Sequence, residues 1–164
     1  MNNGRIILGI DPGLKNTGWG IIKGLKMKDE HISNGVITTN EKQSMGDRLN
    51  RIFNDLNEIC NEFKPSLMAV EKIFVNINPE SSLKLGQARG ISFLTASIQK
   101  IPVKEYSANQ IKKSIVGYGH ASKKQIMKML NQLYPQISFV NEDSADAIAV
   151  AICHSMHSSS KVNS

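Results

Sequence analysis

Two short apolar runs, far apart in the chain, each end on a carboxylate, and no other feature restricts the fold as much. Arg5 to Ile10 (RIILGI) leads directly into Asp11, and Leu67 to Val70 (LMAV) leads directly into Glu71. Runs this short and apolar, bounded by turn residues, read as strands buried on both faces. A carboxylate at the C-terminal end of such a strand stands at the edge where open α/β sheets bind ligands. Near the other end of the chain, Asp143 and Asp146 open an apolar helical pattern, NEDSADAIAVAICH, and their three-residue spacing puts them on one helical face. Four acids from three remote segments are thereby predicted to converge.

The intervening pattern supports that convergence. Asp-Pro-Gly after the first run marks a turn, Gly18 to Lys23 reads as a second strand, and His31 to Thr39 as a third. Their short connections predict an antiparallel meander. Apolar residues from Met45 to Phe63 recur at three- and four-residue steps, which predicts an amphipathic helix over Ser44 to Phe63, stopped by Pro65. A helical crossover makes Leu67 to Glu71 parallel to the first strand, bringing Asp11 and Glu71 to the same end. Ser81 to about Gln99 reads as a second helix carrying Gly86 and Gly90 one turn apart. Each glycine costs about 1 kcal/mol relative to alanine there, so a compensating close contact, internal or with a partner subunit, is expected. Pro102 to Tyr106 reads as a fifth strand, and Ser107, Ser122 and Asn141 as caps of three further helices. The expected class is α/β: a five-stranded mixed sheet, an antiparallel meander followed by parallel strands, flanked by helices. The length of 164 residues predicts one domain, over residues 1–157, with 158–164 (SSSKVNS) as a disordered tail.

Charge is unevenly distributed. The chain totals +6, yet from Lys84 to Lys128 nine cations face Glu105 alone, a local +8 that leaves −2 for the remainder. A basic middle beside an acidic cluster suits a protein that attracts phosphates broadly and holds metal cations at one spot. No stretch approaches the roughly 20 apolar residues of a membrane helix, and the start lacks the order of a signal peptide, so a cytoplasmic location is expected. Cys60 and Cys153 read as isolated buried thiols. His31, His120, His154 and His157 lack metal-ligand spacing near the acids, and Trp19 reads as core or strand-edge packing.

The acids predict a reaction class. Mg²⁺ prefers hard oxygen ligands, usually takes one or two protein carboxylates and completes its shell with water and phosphate oxygens. Four carboxylates suit a pair of ions, which act on the two sides of a phosphodiester under displacement. Their mutual repulsion without metal predicts a raised pKa for at least one of them.

Four segments, GIDPGLKNTGWGII, AVEKIFVNINPESSLKLGQARG, KKSIVGYGHASKKQI and DSADAIAVAICH, resemble the RuvC Holliday-junction resolvases in order and spacing over nearly the full length. The resemblance implies an RNase H-like fold, a homodimer, Mg²⁺ dependence, and paired nicks in a four-way DNA junction during recombination and repair; whether Mn²⁺ substitutes is left open by the residues. It places Asp11, Glu71, Asp143 and Asp146 on the catalytic metal-binding carboxylates, Phe74 on an aromatic that stacks against an opened base, and Lys112 and Lys123 on basic residues near the cleaved phosphate. Coupling to a branch-migration motor is a further family expectation. Arg89, Lys113 and Lys124 join the predicted DNA surface by charge and proximity. Lys72 stands where the family usually has an uncharged polar side chain, and strand alternation predicts that it faces away from the acids.

Two rival readings follow from smaller features. Asp-Pro-Gly followed by Thr17, Gly18 and Gly20 resembles the first phosphate loop of actin-like and sugar-kinase ATPases, although those need a second lobe. The basic segment alone would serve a DNA-binding module without catalysis.

Overall fold

The computed structural model describes residues 4–25, 28–73 and 78–160. Its strands are β1 (Arg5–Asp11), β2 (Asn16–Gly24), β3 (Glu30–Thr38), β4 (Leu67–Glu71) and β5 (Val103–Tyr106). The helices are α1 (Met45–Phe63), α2 (Pro79–Ile98), α3 (Ala108–Val116), α4 (Lys123–Leu133) and α5 (Glu142–Ser160). The sheet order is β3-β2-β1-β4-β5. The first three strands pair antiparallel, while β1, β4 and β5 run parallel. This is the mixed sheet expected from the pattern.

Alternation along the strands builds two cores. Ile7, Ile22 and Ala69 point to one face, where they pack with apolar residues of α3, α4 and α5. Leu8, Ile10, Ile21, Met68 and Val70 point to the other, against residues of α1 and α2. Because β1 and β4 are covered on both sides, the residues that end them are held at a fixed level by the ladder, in which Ile10 pairs with Val70.

Local chemistry explains most boundaries. The Ser44 hydroxyl accepts from the Asp47 amide at the start of α1, and Lys64 closes that helix in the left-handed region at φ 48°. Ser107 and Ser122 each form a reciprocal capping box, with Gln110 and Gln125 respectively. Asn141 precedes α5 and accepts from the Ser144 amide at 3.0 Å.

Two expectations are corrected. Helix α2 begins at Pro79 rather than Ser81, because Asn78 accepts from the amides of Glu80 and Ser81 and proline suits the first helical turn. Helix α5 continues to Ser160, into the stretch read as a tail, with the Ser158 hydroxyl donating to the Ser155 carbonyl at 2.9 Å. At Gly86 and Gly90, among the described residues, nothing outside the adjacent backbone of α2 lies within 4 Å of a Cβ placed on either, which leaves the partner-subunit form of the expected contact. The buried side of α2 is instead Ala88, Ser92, Thr95 and Ala96.

Candidate active site

Asp11 is the last residue of β1 and Glu71 the last of the adjacent parallel β4, so the two carboxylates stand side by side at one sheet edge. The turn after Asp11 is pinned from within: the Thr17 hydroxyl donates to the Gly13 carbonyl at 2.6 Å, and the Thr39 amide donates to the Lys15 carbonyl at 2.9 Å. Helix α5 brings the other acids. It can lie on the sheet because β1 and β2 present bare backbone beneath it. A Cβ on Gly9 would sit 2.0 Å from the Ala147 carbonyl oxygen, and one on Gly18 would sit 2.0 Å from the Asp143 carbonyl oxygen. Gly18 is the register partner of Asp11, so this close approach delivers the first turn of α5 directly beside the strand acid.

Asp11, Glu71, Asp146, Lys112 and Lys123 line one cavity of about 170 Å³, closed by Ala108, Ile111, Ile126 and Ala149. Asp143 is not among the lining side chains, but its negative charge raises the pKa of both Asp11 and Asp146. Its carboxylate accepts from the Asn141 amide group at 3.3 Å. The Lys123 ammonium lies 3.4 Å from an Asp146 carboxylate oxygen, and that negative neighbour raises the lysine pKa.

Protonation records the crowding. Burial, then the charges of Glu71, Asp146 and Asp143, push Asp11 up to about 8. Burial and the Asp146 charge raise Glu71, against a hydrogen bond from Asp11 and the pull of Lys123 and Lys112. Burial also raises Asp146, opposed by Lys123. At neutral pH without metal, Asp11 therefore keeps a proton and donates it to Glu71, which meets the expectation of a raised carboxylate pKa.

That donor set fits a divalent cation. Hard anionic oxygens are crowded until one must bind a proton, and a metal ion would relieve the same repulsion. Among the described residues no three acidic, histidine or cysteine side chains close around a point by themselves. Mg²⁺ asks for less, since it keeps waters and takes phosphate oxygens.

The remaining predicted residues are placed differently. Lys113 lies beside Gln110, Ser114, Met156 and His157 around a separate shallow hollow. Lys124 is exposed on the first turn of α4 and does not line the cavity. Arg89 turns inward, ion-paired to Glu105. Phe74 lies outside the described residues. Lys72 is exposed and does not line the cavity, in line with strand alternation. Sequence reasoning missed the glycines that let α5 descend. Read as one group with the small residues Ala145, Ala147 and Ala151 of α5, Gly9, Gly18 and Gly20 carried that signal.

Comparison with known proteins decides the family. The family model described as "Crossover junction endodeoxyribonuclease RuvC" matches residues 7–154. This chain belongs to the RuvC family. A RuvC relative from Brucella ovis is 44% identical over 157 residues, covering 96% of this chain and 91% of its own length. One from Paramagnetospirillum magneticum is 44% identical over 151 residues, covering 92% and 91%. The structure of Thermus thermophilus RuvC in complex with a Holliday junction substrate superposes with a TM-score of 0.88 at 28% identity, covering 96% of both chains. The RNase H-like architecture inferred from the resemblance is thereby established. The RuvC fold also accounts for the glycines that suggested a phosphate loop: Gly18 lies under α5.

Proposed function

We propose that this RuvC-family chain is a crossover junction endodeoxyribonuclease that resolves four-way DNA junctions by paired, symmetric nicks. The observation that carries this reading is the meeting of Asp11, Glu71 and Asp146 in one cavity with Lys112 and Lys123, with the Asp143 charge acting on the same cluster. The four carboxylates would hold Mg²⁺, two ions per subunit, with Mn²⁺ as the alternative. Bound there, such ions supply an activated water and stabilise charge on the departing 3′-oxygen. The chain's own contribution is to fix the acids on rigid elements and to exclude water behind them with Ile111, Ile126 and Ala149.

Lys112 and Lys123 face the acids across the cavity, where a phosphate would enter, and offset the charge that builds on it during displacement. Lys113 and Lys124 extend a positive track for the flanking backbone, and Phe74 offers a stacking face for an unpaired base. Two copies related by a two-fold axis present two such cavities, which matches a substrate with two equivalent strands. A branch-migration motor and a cytoplasmic setting belong to the same reading. No helix among the described residues is long and apolar enough to cross a membrane.

The deciding experiment incubates the chain with a synthetic four-way junction, with and without Mg²⁺. Nicks at symmetric positions in opposing strands, dependent on the ion, are expected. Intact junctions, or cuts independent of branching, would refute the assignment.

A further inference from the structure

Arg89 on α2 directs its guanidinium into the protein, where three partners hold it. Its Nε donates to the Glu71 carbonyl oxygen at 3.3 Å, and its Nη2 is ion-paired with the Glu105 carboxylate on β5. The guanidinium carbon lies 4.8 Å from the Phe93 ring centroid, one helical turn further along α2. The side chain is 18% exposed. Glu105 is the register partner of Val70, the residue before Glu71, so one planar group joins α2, β4 and β5 at the level of the catalytic carboxylate.

That level needs an anchor. Strand β4 ends at Glu71, and the chain stays beside β5 for one more bond, from the Lys72 amide to the Tyr106 carbonyl at 2.8 Å. Strand ends open more readily than strand centres, because fewer ladder bonds must break. The Nε–H of a guanidinium held by Glu105 and Phe93 donates to the carbonyl of that last residue and so restrains its peptide plane. The carbonyl and the Cα–Cβ bond of Glu71 share one Cα, so fixing the plane narrows the directions its carboxylate can take.

We propose that Arg89 is a positioning residue for Glu71: a clamp between α2 and β5 that sets where this metal-binding carboxylate stands. Its charge is neutralised internally by Glu105 and is not offered to the DNA backbone. The functional consequence rests on the endonuclease reading above; the structural clamp does not.

The test compares Arg89→Gln and Glu105→Gln with the unmodified protein in three measurements. Hydrogen exchange follows the Lys72 amide against the Met68 amide, which donates to the Pro102 carbonyl at the opposite end of the same strand, away from Arg89. Nicking assays give the divalent-ion concentration for half-maximal rate, and junction binding is titrated against salt. Arg89→Gln is expected to lower Lys72 protection selectively, to raise the half-saturating ion concentration about ten-fold, the low end of losses seen when groups supporting metal ligands are removed, and to leave the salt slope unchanged. Glu105→Gln is expected to act in the same direction by a smaller factor. An equal loss of protection at both amides, or none at Lys72, would overturn the clamp. So would a loss confined to junction affinity with a salt slope shallower by about one, the signature of a phosphate contact. If the unmodified protein fails to nick junctions, the endonuclease reading fails, while the exchange measurement still tests the clamp.

Discussion

The two walls of the cavity are held in place by different means. On the acidic wall, Asp11 and Glu71 close adjacent strands whose ladder fixes their level, and Asp146 sits on a helix seated on bare backbone. On the cationic wall, Lys112 and Lys123 ride on helices of 9 and 11 residues, each started by a capping box, and the Lys123 side chain is 71% exposed. Lengths of this order are marginal for an isolated helix, so α3 and α4 rely on packing Ile111, Ile115, Ile126 and Leu130 against α5. The contrast teaches a division of labour. The acids that repel one another at close range are fixed by the backbone, whereas the two cations reach the cavity on long side chains, half-buried at Lys112 and exposed at Lys123.

The sharpest way to break this comparison is to remove a member of the acidic wall. Asp11→Asn is expected to reduce junction nicking by more than about a hundred-fold, exceeding the loss from removing a group that merely supports a metal ligand. Junction affinity measured by gel shift should stay near that of the unmodified protein. Normal nicking would return Asp11 to a turn residue.

Next in size is a change that touches no functional group. Gly18→Ala places a methyl 2.0 Å from the Asp143 carbonyl oxygen, so α5 must lift or the sheet must yield. A loss of up to about 3 kcal/mol in denaturant unfolding is expected, with nicking falling in parallel. An unchanged unfolding midpoint would show that α5 is not bound to its track.

The cationic wall should give a smaller response. Lys123→Ala is expected to slow nicking about ten- to a hundred-fold, less than the loss of a fully buried charge-stabilising donor, with the fold retained by circular dichroism. A larger loss than that of Asp11→Asn would invert the proposed division.

Acidity sharpens the comparison further. Asp11 is raised from 3.8 to about 8, so across that interval the folded protein binds more protons than the unfolded chain. Its contribution to stability is fully present at the acidic end and is lost as pH rises through about 8. Unfolding of the metal-free protein should therefore become easier from about pH 4 to about pH 8 and level off above that, and Asp11→Asn or added Mg²⁺ should flatten the trend. A metal-free protein that gained stability across this range would contradict the crowding of the acids.

Much of this organisation was legible in the residues. The apolar runs before Asp11 and Glu71 predicted strands, and the intervening helix predicted their parallel pairing, because hydrophobic period and crossover handedness act locally and strongly. What escaped was information carried by missing or long side chains. Gly9 and Gly18 have no group to announce a packing role, and only the position of α5 reveals why a Cβ is excluded. Arg89 was read outward by its charge, because sequence does not show that Glu105, 16 residues later, returns to meet it. The start of α2 was misplaced because Pro79 reads as a loop residue until Asn78 is recognised as its cap.

The seat of α5 has a consequence for how the gene tolerates change. Gly9 and Gly18 contribute only a hydrogen atom each, yet a survey of random variants scored for survival after DNA damage should rank them among the intolerant positions, close to the carboxylates themselves. A position with no chemistry of its own can be as irreplaceable as a reactive one when its emptiness is what lets the reactive one arrive.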